Sequence, residues 1–299
     1  MLARLSVKEG EKIGIISTAR WITEEEIAYA ADTIKSWGLI PVFGKTLSAK
    51  EDQFAGNDDL RREDLQHFLD DPEIRTIFCA RGGYGTIRII GGIDFTQFMD
   101  APKWICGYSD ITILHIHIND KLGIPTLHST MPVNFLNNTV ASRESLRSAL
   151  FGKMPSYTVN PHPLNIKGMA EAEIIGGNLS ILYSLLGTKF GFSTVDKILF
   201  LEDIDEYLYH IDRMMMSMKL AGKLQYVKGI IAGGMTSMKD NAIPFGKSAE
   251  EIILSYVAEL NVPVCFGFPA GHINDNRAIV FKRKIHFEVD DKGAKIHYL

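Results

Sequence analysis

Ser109 stands in the stretch Trp104-Ile-Cys-Gly-Tyr-Ser109-Asp110-Ile-Thr-Ile-Leu114. A short apolar strand ends at Gly107, a hydroxyl follows, and an amphipathic helix begins. A strand-to-helix turn of this kind presents a serine beside backbone N–H groups, the layout of a nucleophile in α/β hydrolases. The same Ser-Asp pair also reads as a helix N-cap with an acid in the first turn, and Ile111 stands where G-x-S-x-G has its second glycine. A serine nucleophile needs a base, an acid that orients it, and donors for an oxyanion. Glu202 closes the apolar run Leu199-Phe-Leu, and His272 lies in the loop Phe268-Pro-Ala-Gly-His272. The order Ser109, Glu202, His272 is the chain order of nucleophile, acid and base in α/β hydrolases.

The segment Arg81-Gly-Gly-Tyr-Gly85 also follows an apolar strand. Its glycines let a backbone approach a ligand closely and aim N–H groups at an anion. One amide from Gly82 or Gly83 and one from Asp110 would together hold a tetrahedral oxyanion. Arg81 suits a terminal carboxylate, which a guanidinium binds bidentately. A plain turn and an intramolecular salt bridge are the competing readings of this segment. It is not G-x-G-x-x-G, and no nucleotide fingerprint follows, which argues against a dinucleotide site.

Of the nine histidines, His115 and His117 lie two apart on an expected helix and face different ways, a poor metal pair. His128 follows a strand and is expected to border the site. Glu202, Asp203 and His210 are a weaker alternative as a metal set, and the EF-hand spacing is absent. Cys79, Cys106 and Cys265 are each isolated in apolar segments and read as buried, reduced thiols, neither a disulfide set nor a zinc site.

These residues need a scaffold. Through Leu127 the chain alternates strand and helix, with strands at 12–17, 40–43, 76–80, 104–108 and 124–127. Helices are expected at 23–37, 61–69, from 86, and 110–121. That alternation predicts a parallel sheet flanked by helices. Residues 151–168 carry Pro155, Pro161 and Pro163 and read as a linker between an N-terminal domain, 1–150, and a smaller mixed α/β domain, 169–299. In the latter, strands are expected at 171–175, 197–201, 227–232 and 263–267, with helices from Asn178, from His210 and from Ala249. Strands at 278–287 and 295–298 are expected to pair in a hairpin around Asp290-Asp-Lys-Gly293.

The chain has 299 residues and a net charge of −4, with no Lys/Arg-rich tract to attract nucleic acid or anionic membrane. No signal peptide and no membrane-spanning run is expected.

Five motifs in order resemble the LD-carboxypeptidase family: Arg81-Gly-Gly-Tyr-Gly85, Gly107-Tyr-Ser-Asp110, Gly176-Gly-Asn-Leu179, Leu199-Phe-Leu-Glu-Asp203 with Ile211-Asp-Arg213, and Gly271-His272 with Asn276. This serine peptidase family includes muramoyl-tetrapeptide carboxypeptidase and the microcin C self-immunity peptidases. The resemblance spans about Lys12 to Phe281. It implies a two-domain α/β protein with a nucleotide-binding-like N-terminal sheet and a Ser–His–Glu triad, here Ser109, His272 and Glu202. It further implies a cytoplasmic homodimer, with no metal or other cofactor, that removes D-alanine from murein tetrapeptides at an L-to-D bond during wall recycling. Two segments depart from the family pattern: His128-Ser-Thr-Met131, where members often carry His-Gly-Pro-Met, and the loop Gly233–Asp240. The alternatives are a serine amidase acting on aminoacyl-nucleotides and a module that only binds an anionic ligand.

Overall fold

The structure, a computed structural model, describes residues 5–299. Its strands are β1 (Lys12–Ile16), β2 (Ile40–Phe43), β3 (Ile74–Cys79), β4 (Trp104–Gly107), β5 (Thr126–His128), β6 (Ser156–Val159), β7 (Gly168–Asn178), β8 (Lys197–Ile204), β9 (Gly229–Thr236), β10 (Val264–Cys265), β11 (Ile279–Phe281), β12 (Lys284–Asp290) and β13 (Gly293–Tyr298). They form a six-stranded sheet, order β11-β5-β4-β3-β1-β2, and a seven-stranded sheet, order β10-β9-β8-β7-β12-β13-β6. The described chain divides into two compact units. The first runs to Lys153 and takes in Asn274–Ile279; the second comprises Met154–Ile273 and Val280–Leu299.

In the first unit β1 to β5 pair in parallel. Parallel strands are covered on both faces and carry near-continuous apolar runs; Ile13, Ile15, Ile16, Ile77, Phe78, Ile105 and Cys106 are all fully buried. The helix Asp58–Asp70 begins three residues before the expected start, because the Asn57 side chain accepts from the Leu60 N–H at 2.9 Å. It packs over β1 at Gly14, where a Cβ would overlap the Phe68 ring. The expected helix 110–121 is instead a 3-10 turn at Ser109–Ile111, an α-helix at Thr112–His117 and a wide π turn at Ile118–Leu122.

In the second unit β7, β8, β9 and β10 are parallel, while β12, β13 and β6 add an antiparallel edge. The expected linker 151–168 is corrected here: it contains β6, paired with β13, with Tyr157 and Val159 buried on alternate positions. The expected single strand 278–287 also divides, β11 joining the first sheet and β12 the second. Residues 274–279 belong to the first unit, where the sequence placed all of 169–299 in one domain. Among the described residues no helix is long and apolar enough to cross a membrane.

Candidate active site

β3 and β4 are parallel neighbours, so the loops leaving their carboxyl ends lie side by side. One is 81–85 and the other carries Ser109. Ser109 has φ +63°, in the left-handed region that costs a non-glycine residue about 1–3 kcal/mol. Gly107 before it has φ +155°, and a Cβ there would meet Ile111 Cγ1 at 2.9 Å. The neighbouring loop runs close to the hydroxyl: a Cβ on Gly82 would lie 3.0 Å from Ser109 Cβ and 3.2 Å from Oγ. A partly exposed serine in left-handed backbone, two residues after a glycine, matches the turn that presents a nucleophile in α/β hydrolases.

The turn is fastened from below. The Gly107 carbonyl accepts from the Ser129 N–H at 3.1 Å and from His115 Nε2 at 2.9 Å. Burial pulls the His115 pKa down to about 4 against that hydrogen bond, so the ring is neutral with its proton on Nε2, since a carbonyl only accepts. His117 packs its ring against Phe95 at 5.0 Å. His128, expected to border the site, is fully buried, with its ring 5.9 Å from that of Tyr108. Asp110 is fully buried too, and its Oδ2 accepts from the Thr86 N–H at 2.9 Å. Burial raises its pKa above 3.8, partly offset by the Thr86 hydrogen bonds and the Arg61 charge. Arg81 pairs with Glu26, Nη1 to Oε1 3.6 Å, too long for a strong hydrogen bond. Gly83 has φ +110° and packs against Arg20.

Glu202 and His272 meet in the second unit. His272 Nδ1 lies 2.7 Å from Glu202 Oε2, which also accepts the His272 backbone N–H at 3.2 Å. The Glu202 side chain is fully buried and that of His272 is 14% exposed. The loop reaches Glu202 because Gly271 has φ +105° and no Cβ; a Cβ would sit 2.7 Å from Glu202 Cβ. It is tied to the end of β9 by the Gly234 N–H donating to the Ala270 carbonyl at 2.9 Å. β8 shifts register against β9 between Leu201 and Asp203, a bulge that re-aims side chains at a strand end. Burial disfavours the His272 cation, but the Glu202 charge, its hydrogen bond and the Asp203 charge outweigh that, and the pKa stands above 6.5.

The sequence passed over Asp203 and Asn178 as a pair. Asp203 Oδ1 accepts from Asn178 Nδ2 and Oδ2 from the Ser180 N–H, each at 2.9 Å, and Asn178 Oδ1 caps the helix Leu179–Ser184 at the Ile181 N–H. Burial and the Glu202 charge push the Asp203 pKa up to about 7. The alternative metal set is not brought together: Asp203 is committed as described, and His210 Nδ1 pairs with Glu206 Oε2 at 2.5 Å. The three cysteines are buried and unbridged, and burial pushes the Cys106 thiol far up, which disarms it.

Models of the LD-carboxypeptidase N-terminal and C-terminal domains match residues 13–129 and 171–287. A probable murein peptide carboxypeptidase of Bacillus subtilis is 34% identical over 97% of this chain and 93% of its own length. Among solved structures, muramoyltetrapeptide carboxypeptidase from Oxalobacter formigenes superposes with a TM-score of 0.84 at 22% identity, covering 96% of this chain and 98% of that one. The microcin C7 self-immunity protein MccF, solved with aspartyl sulfamoyl adenosine, gives 0.86 at 20% identity over 98% and 97%.

Proposed function

The chain belongs to the LD-carboxypeptidase family, and on that premise we propose that it releases terminal D-alanine from a murein tetrapeptide, with Ser109, His272 and Glu202 as the triad. The observation that carries this is the hydrogen bond between His272 Nδ1 and the fully buried Glu202 carboxylate. A carboxylate in that place fixes the tautomer, so that Nε2 is the basic nitrogen, and stabilises the imidazolium once it forms.

Ser109 attacks the scissile carbonyl while His272 takes its proton. His272 then protonates the departing amine of D-alanine, and water releases the acyl group by the same steps in reverse. The amides of Gly83 and Asp110 receive the oxyanion, each contributing roughly 3 kcal/mol. Arg81 exchanges its long contact with Glu26 for the terminal carboxylate of the substrate, with the Gly82 backbone alongside. The homodimer and the cytoplasmic setting are carried over from the family resemblance. The name of the Bacillus subtilis relative supports a murein peptide as substrate.

The test is D-alanine release from a murein tetrapeptide by the wild type, Ser109→Ala and His272→Ala. Release lost by orders of magnitude in both variants supports the reading. Release that survives Ser109→Ala removes the nucleophile, and no release by the wild type moves the substrate to an aminoacyl-nucleotide.

A further inference from the structure

We propose that the side chain of Asp110 is a positioning residue for the oxyanion hole: its buried carboxylate clamps the glycine loop 81–85 to the nucleophile turn. The inference rests on the reading that Gly83 and Asp110 supply the two amides.

Those amides come from different segments, one after β3 and one after β4. Their spacing must hold to about 0.5 Å for both to meet one oxygen. Yet one segment is Arg81-Gly-Gly-Tyr-Gly85, and glycine has the widest conformational freedom of any residue. Something outside the loop has to remove that freedom.

Two buried charged side chains do so. Asp110 Oδ2 accepts the Thr86 N–H at 2.9 Å, which fixes the loop's exit. Arg61, fully buried, donates through Nη1 to the Gly85 carbonyl at 3.0 Å and to the Thr18 carbonyl at 2.7 Å. The Thr18 and Thr86 hydroxyls share a further hydrogen bond of 2.8 Å. At the loop's entry the Gly82 carbonyl accepts from the Arg20 N–H at 3.3 Å. Asp110 spans the two segments, since its own amide is one donor and its side chain holds the loop that carries the other. Burying a carboxylate costs several kcal/mol. A serine or threonine would cap an isolated turn without that cost, but its shorter side chain stays close to its own backbone.

The experiment compares Asp110→Ala and Asp110→Asn with the wild type. It measures kcat and KM for D-alanine release, and the rate at which a fluorophosphonate labels Ser109. The amide oxygen of Asn still accepts from Thr86, so Asp110→Asn should stay within about fivefold of the wild type. Asp110→Ala should lose about 100-fold in kcat with KM little changed, as when an oxyanion donor is removed. Its labelling rate should fall in parallel, because phosphonylation also passes through a charged oxygen in the hole. A merely structural residue would lower the melting temperature and the fraction of labelled sites, not the rate per labelled site. If Asp110→Ala does not melt cooperatively, Asp110→Ser, too short to reach Thr86, replaces it with the same expectation. Wild-type rates in the Ala or Ser variant, or equal damage in Asn and Ala, overturn the clamp. A wild type that labels at Ser109 yet releases no D-alanine overturns the substrate reading instead, and the clamp is then judged on labelling rates.

Discussion

In the first unit the hydroxyl proposed as the nucleophile is held through the main chain. Ser109 sits at φ +63° after a strand that ends in glycine, beside a loop where a side chain at Gly82 would press on it; its placement is written in backbone angles. In the second unit the loop turns at Gly271, and the His272 N–H donates to Glu202 at 3.2 Å. The ring is held by one carboxylate at 2.7 Å, and that carboxylate by burial. The contrast follows from the chemistry. A nucleophile must be exposed and reproducibly aimed, which strain enforces. A base must have its basicity tuned, which a buried charge does.

The largest expected effect tests whether the two regions act as one device. Ser109→Ala and His272→Ala should each lower kcat roughly a million-fold, and the double variant should be no worse, since parts of a catalytic unit are not additive. Additive losses measured by D-alanine release would mean two independent contributions.

Next comes the tuning. Glu202→Gln should cost roughly 10⁴ in kcat and move the acid limb of the kcat/KM profile to lower pH. In the wild type that limb should lie above pH 6.5, because the His272 pKa is raised and the base works only when neutral. For stability the sign is opposite. The contribution of the His272 cation is complete below 6.5 and lost as pH rises through its folded pKa. A midpoint unmoved in Glu202→Gln would detach the carboxylate from the base.

Gly82→Ala presses a methyl group on Ser109 from 3.0 Å and should cost about 100-fold in kcat with little change in KM, the scale of a small misplacement. Arg81→Ala should raise KM roughly tenfold, about the 1.4 kcal/mol that a charge-assisted hydrogen bond supplies, and leave kcat alone; an unchanged KM removes it from substrate binding.

The smallest effect is in stability. Ser109→Gly relieves the left-handed strain and should be about 1 kcal/mol more stable than Ser109→Ala in thermal or denaturant unfolding. Equal stabilities would mean the turn carries no strain.

The parallel strands, Asn178 as a cap and the β12–β13 hairpin were all legible, because each rests on local signals: apolar runs, a side chain that accepts its own helix N–H, and a two-residue turn. So was the strand-turn-helix around Ser109, through Gly107. What escaped depends on distant partners. β6 lies among Pro155 and Pro161, whose punctuation hid the alternation of Tyr157 and Val159, and its partner β13 is over 130 residues away. The helix Val140–Leu150 went unread, although Thr139 caps it through the Ser142 N–H. Arg61 looks like a solvated helix residue, and only the fold buries it against Thr18 and Gly85. Asp110 reads as a dipole partner of its own helix, whereas its side chain serves the neighbouring loop.

The chain's path after His272 bears on how this protein could be divided. Two residues beyond the ring, Asn274 offers its carbonyl to Asn138 Nδ2 and to the Thr139 N–H, each at 2.9 Å, and Asp275 takes the Thr139 hydroxyl at 2.8 Å. The start of the helix Val140–Leu150 is therefore finished by a segment synthesised some 130 residues later. A gene cut at residue 153 would leave the first unit with an open seam, while the discarded half carried the piece that closes it. Fragment exchange between relatives would have to move residues 274–279 with the N-terminal half; the boundary drawn by sequence order is not one at which the molecule comes apart.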